Sequence, residues 1–121
     1  MREKRWTIFC DIDGIVFNDA GSLQNILAGG QFVLGGVKEK FHEWRGLDYY
    51  IVLTTARPES ARAFTTAQLT KEGLYYDQLV MGLPVGPRVV INDEKPDGMK
   101  TAYAACIRRD KGLAHVKVEL L

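Results

Sequence analysis

Two carboxylates follow directly on an apolar run near the start of the chain, in Phe9-Cys10-Asp11-Ile12-Asp13-Gly14. Asp-Gly is a strong turn dipeptide, which accounts for Asp13 as half of an ordinary turn. It does not account for Asp11. That residue ends the nearly continuous apolar run Trp6-Thr7-Ile8-Phe9-Cys10, where a charge pays desolvation unless something cationic meets it. Carboxylates at i and i+2 across a strand-to-loop transition suit a division of labour: one attacks an electrophile, the other moves protons. Two later apolar runs also end in polar groups. Ile51-Val52-Leu53 gives way to Thr54-Thr55-Ala56-Arg57, and Val89-Val90-Ile91 to Asn92-Asp93-Glu94-Lys95. Singly, each has a plain reading, with Thr55 capping the next helix, Arg57 a surface arginine at that helix end, and Asn92 and Asp93 in a loop beside solvated Glu94 and Lys95.

These groups need elements to position them. Residues 6–10, 49–54, 79–81 and 89–92 have the pattern of short strands buried on both faces of a parallel sheet. In residues 114–120, Val116 and Val118 alternate with Lys117 and Glu119, which suits a fifth, half-exposed strand. Val37, Phe41 and Trp44 fall at i, i+4 and i+7 among charged residues, an amphipathic helix. A second helix is bounded by Pro58 and Glu59 at its start and Gly73 at its end, and a weaker third covers residues 101–110. Strands alternating with helices predict an open α/β fold in which strand carboxyl ends carry the site. Residues 15–36 break the rhythm with five glycines and predict a flap or hairpin.

Composition narrows the class. The 121 residues make one domain, with an ordinary soluble balance of 46% hydrophobic and 26% charged residues. A net charge of +1 gives no field to draw nucleic acid or an anionic membrane, so charge chemistry must be local. The start Met1-Arg2-Glu3-Lys4-Arg5 is basic, but the apolar run behind it is too short for a signal peptide or a membrane span, which predicts a cytoplasmic protein. Cys10 and Cys106 lack metal or redox spacing and read as reduced packing residues; His42 and His115 read as structural.

The ordered set Asp11-Ile12-Asp13-Gly14, Thr55 and Asn92-Asp93 resembles the haloacid dehalogenase superfamily over nearly the whole chain. The resemblance implies a Rossmann-like three-layer sandwich around a five-stranded parallel sheet of order 5-4-1-2-3. The 22 residues 15–36 fall short of the ~40 a stable module needs, so no cap domain is expected. It implies a magnesium-dependent phosphatase acting through an aspartyl-phosphate. Asp11 would be nucleophile and metal ligand, and Asp13 acid and base, offering its backbone carbonyl to the metal. Asp93 and Asn92 would hold Mg2+, Thr55 would bind the phosphoryl group, and Gly14, Thr54 and Arg57 would contact substrate.

Where related small members carry a lysine after the third strand, this chain has Leu83. The cation role then falls to Lys95, with Lys71 and Arg88 as the other choices. Short Met-Gly-x-Pro and Asn-Asp-x-Lys-Pro segments resemble small phosphatases of surface-polysaccharide sugar metabolism, which implies a sugar phosphate or similar small phosphomonoester as substrate. An open site leaves room for a homo-oligomer in which a neighbouring copy closes it. Two other classes stand beside this one: a catalytically silent relative that binds a phosphorylated ligand, and a receiver-type phosphoacceptor domain, which the order of the acidic and hydroxyl strand ends disfavours.

Overall fold

A computed structural model describes residues 5–121; the basic residues 1–4 lie outside the described residues. Strand β1 (Thr7–Asp11) pairs in parallel with β2 (Tyr50–Thr54) in the register Thr7↔Tyr50 to Asp11↔Thr54. Strand β3 (Gln78–Val80) pairs in parallel with β2 through Val52↔Gln78 to Thr54↔Val80. Parallel neighbours need long crossovers, and helices supply them. Between β1 and β2 lie the short α1 (Leu23–Ala28) and α2 (Val37–Gly46); α3 (Arg62–Lys71) lies between β2 and β3.

The α2 stripe matches its periodicity, since Val37, Phe41 and Trp44 are the buried residues of that helix. Pro58 does not sit in the first turn of α3 but precedes a short 3-10 turn, Glu59–Ala61, with Thr65 and Leu69 buried farther along. The flap folds back on the sheet end. Phe17 forms isolated bridges to Asp13 and Val33, and Val16 and Phe17 are fully buried with Ile12.

The sheet has three strands in the order β1-β2-β3, so the five-stranded 5-4-1-2-3 arrangement does not hold. Residues 89–92 are irregular and exposed. Val-Val-Ile has strand propensity, but propensity reflects packing against a neighbour and gives way where none is engaged. The run is bounded by Pro84, Gly86 and Pro87 on one side; on the other, the Asn92 amide donates to the Thr101 carbonyl at 3.1 Å. Residues 114–120 form no strand either, ending in a 3-10 turn at Val118–Leu120 with Val118 buried. The predicted helix over residues 101–110 is absent as well: Tyr103 leaves to stack on Trp6 at 5.7 Å, and Ile107 packs against the core.

Cys10 is the buried packing residue expected, and burial, with the charge of Asp11 adding to it, pushes its thiol up to about 12. Cys106 is exposed rather than packed. No helix among the described residues is long and apolar enough to cross a membrane.

The C-terminal segment is fastened by backbone contact at residues 35–36. The Leu113 N–H donates to the Gly35 carbonyl at 2.9 Å, and a Cβ on Gly112, where φ is +75°, would overlap that same carbonyl oxygen. Such overlap cannot be relieved by a rotamer change. Gly112→Ala is expected to destabilise the fold by about 2–3 kcal/mol, read as a shifted urea midpoint at unchanged slope. Gly21→Ala carries a φ penalty alone, since nothing lies within 4 Å of its Cβ position, and is expected to cost less.

Candidate active site

The carboxyl ends of β1 and β2 gather the first two predicted groups. Register pairs Asp11 with Thr54, so their side chains leave the same face of the sheet. Asp11 reaches solvent, yet the sheet end strips enough water from its carboxyl to raise its pKa. A hydrogen bond from the Ile12 backbone opposes the rise, the charge of Asp13 adds to it, and Arg88 lowers it. Thr55 is buried; its Oγ1 accepts from the Arg57 N–H at 3.1 Å, which leaves the hydroxyl proton free to donate.

Asp13 is held by an arginine that the sequence reading placed at the substrate. Arg57 is buried, its side chain only 1% exposed, and meets Asp13 as a fork: Nε to Oδ2 at 2.9 Å and Nη2 to Oδ1 at 2.8 Å. The other donors are also used. Nη2 reaches Gln31 Oε1, and Nη1 reaches Thr65 Oγ1 and Gln68 Oε1, at 2.8–3.1 Å. All five guanidinium N–H groups are therefore satisfied. Gln31 closes the network by donating to Asp13 Oδ1 at 2.9 Å and accepting from Gln68 Nε2 at 3.0 Å. Among the described residues Oδ2 of Asp13 accepts from Arg57 alone, which leaves a lone pair there to take a proton.

Gln31, Thr65 and Gln68 are the residues the sequence reading missed. Gln31 lies in the glycine-rich flap with no periodicity to mark it. Thr65 and Gln68 are signalled only by lying three apart on α3, a spacing that puts them on one helix face.

Gly14 is buried with φ +89°, and its N–H donates to the Phe17 carbonyl at 2.7 Å. Arg109 closes over it, Cγ lying 3.3 Å from where a Cβ would stand, and pairs with Asp19 at 3.0 Å. The fourth-strand group lies in an exposed loop. There the Thr101 hydroxyl donates to the Asp93 carbonyl, and the Lys95 N–H to the Met99 carbonyl at 2.9 Å. Lys71 is exposed at the end of α3. Arg88 is the candidate cation whose charge bears on Asp11. Its Nη1 is tied to the Pro84 and Gly86 carbonyls at 3.1 and 2.6 Å.

The magnesium that the family resemblance implies was to be held by Asp11, Asp13, Asp93 and Asn92. Among the described residues no three His, Cys, Asp or Glu side chains gather to hold a metal ion. Magnesium demands a near-octahedral oxygen shell, and Asn92 and Asp93, exposed in their loop, are not gathered with Asp11 into such a set among the described residues.

No family model and no curated protein matches the chain. A crystal structure of an MCSG target from Vibrio cholerae is similar in fold, with a TM-score of 0.57 and 19% identity over 95% of this chain and 92% of that one. At that identity the likeness concerns the fold alone.

Proposed function

We propose that the chain hydrolyses small phosphomonoesters at Asp11. The observation that carries this reading is the carboxyl of Asp11 at the end of β1, partly desolvated yet open to solvent, with a second carboxylate fixed in place two residues beyond. In the first half-reaction an Asp11 oxygen attacks phosphorus, and the ester oxygen leaves, taking a proton from water. The Thr55 hydroxyl donates to a phosphoryl oxygen, and Arg88 offsets the approach of like charges. In the second half, water attacks the aspartyl-phosphate and gives its proton to the open lone pair on Asp13 Oδ2. Arg57 fixes where that oxygen points. The sugar-phosphate assignment rests on the sequence resemblance.

A second reading, a domain that binds a phosphorylated ligand without turnover, draws support from the ungathered acidic ligands. Phosphate release from an aryl phosphate and a panel of sugar phosphates, in magnesium-containing buffer, separates the two. Turnover that disappears in Asp11→Asn is expected; saturable binding of these esters with no release would favour the binding domain instead.

A further inference from the structure

The C-terminal segment brings a basic turn to the loop that carries Asp13. Arg108, Arg109 and Lys111 are exposed on this turn, which the Lys111 N–H closes by donating to the Arg108 carbonyl at 3.3 Å. Asp110 fastens it in place. The Asp110 N–H donates to the Gly14 carbonyl at 2.9 Å, and its Oδ1 accepts from the Asp19 N–H at 2.8 Å. Its φ of +65° is a left-handed value that aspartate tolerates.

Arg109 is the cation of this turn that runs along the loop. Its Cγ stands 3.3 Å from where a Cβ on Gly14 would be, so the bare glycine after Asp13 gives the side chain its path. Beyond that point the guanidinium is lightly held. Nη1 lies 3.0 Å from Asp19 Oδ2, the side chain is 75% exposed, and Nε and Nη2 have no partner among the described residues. An exposed pair of this kind contributes little, so another anion can replace Asp19 at small cost. Asp19 itself stays in place, because its Oδ1 accepts from the Gly21 N–H and its own N–H is held by Asp110.

Which part of a substrate meets Arg109 follows from the hydrolytic reading above, on which this inference rests. In-line displacement sets the leaving oxygen opposite Asp11 across phosphorus, and water later enters from that same side. That water gives its proton to Asp13 Oδ2, so the leaving group departs on the Asp13 side, with Arg109 bordering it across Gly14. Arg57 is not free for the task, since all five of its N–H groups are used within the protein. We propose that Arg109 selects phosphomonoesters whose leaving group carries a second anion, a carboxylate or a further phosphate, which its guanidinium binds in place of Asp19.

Hydrolysis of matched esters by the full chain tests it: a carboxyl-bearing aryl phosphate against its methyl ester, and a sugar bisphosphate against the sugar monophosphate. The parent is expected to favour the anionic member in kcat/KM, and Arg109→Gln to cut that ratio about fivefold, mostly through KM. Asp19→Asn removes the competing carboxylate and is expected to raise the ratio. A purely structural role for Arg109 would not move the two variants in opposite directions. Arg45→Gln, which removes a cation from the end of α2 ahead of β2, is expected to leave the ratio unchanged. The pair with the larger preference tells carboxylate from phosphate. A parent without preference in either pair, or a preference that Arg109→Gln retains, would overturn the proposal. If no ester releases phosphate, the hydrolytic reading fails instead, and titration calorimetry with the same compounds decides on Arg109. Tighter binding of the anionic members, weakened in Arg109→Gln, supports the subsite, and equal binding overturns it.

Discussion

Arg57→Lys is expected to destabilise the protein by about 3 kcal/mol, nearly as much as Arg57→Ala, although the substitution keeps the charge. The reason is geometric. Arg57 spends five donors on Asp13, Gln31, Thr65 and Gln68 in one plane, and a lysine brings three donors on a point charge. At least Gln31 or Gln68 would then be left facing a lost partner, and Asp13 would lose its fork. The partial exposure of Asp13, at 22%, places the cost at the lower end of what breaking a buried pair entails. Urea denaturation gives the number. Arg62→Ala, which breaks an exposed pair with Glu59 three residues away and a hydrogen bond to the Leu79 carbonyl, serves as the control and should cost much less. If Arg57→Lys behaves like Arg62→Ala, the network is not the clamp that positions Asp13.

Asp11→Asn should abolish phosphate release and at the same time stabilise the fold near neutral pH. Loss of the nucleophile removes the covalent route, and losses of at least ~10³-fold are expected for such groups. The gain in stability follows from the raised pKa of Asp11, which means that the folded state disfavours its charged form, first through desolvation and then through Asp13. For an acid with a raised folded-state pKa, the stability it contributes is fully present below the unfolded pKa and is lost as pH rises through the folded one. The parent protein therefore carries the penalty at neutral pH and sheds it on acidification. The advantage of Asp11→Asn should shrink as pH falls through the carboxylate range, a trend that thermal melts at a series of pH values would read. An advantage that grows on acidification would contradict the sign.

Periodicity made α2 legible, because Val37, Phe41 and Trp44 each bury against one neighbour at helical spacing. The three strands were legible for a related reason: their apolar runs lie where crossover helices can return the chain in parallel. Residues 89–92 carry the same local signal and fail as a strand, since a strand exists only where an edge is engaged, and that pairing is not encoded locally. With that strand go the expected gathering of Asp93 beside Asp11 and the preference for Lys95 as the cation.

Asp11, Thr54 and Thr55 were legible as strand-end residues. Arg57 was expected to contact substrate, but its surroundings were hidden. Its partners stand 44 positions away at Asp13 and 26 away at Gln31, and a buried arginine looks like a surface one until those partners are known. Arg88 was weighed as a cation but ranked behind Lys95, since a strand over residues 89–92 would have put it at the far edge of the sheet, whereas the turn from Pro84 to Gly86 holds it instead.

The central claim is that Asp11 takes up the phosphoryl group. Acid quenching during turnover of an aryl phosphate, followed by mass spectrometry of the proteolysed chain, tests it most directly, because acyl phosphates survive acid better than base. A phosphoryl adduct on Asp11, absent from Asp11→Asn, is the predicted result. Phosphate release without any adduct on Asp11, or an adduct on another residue, would contradict it.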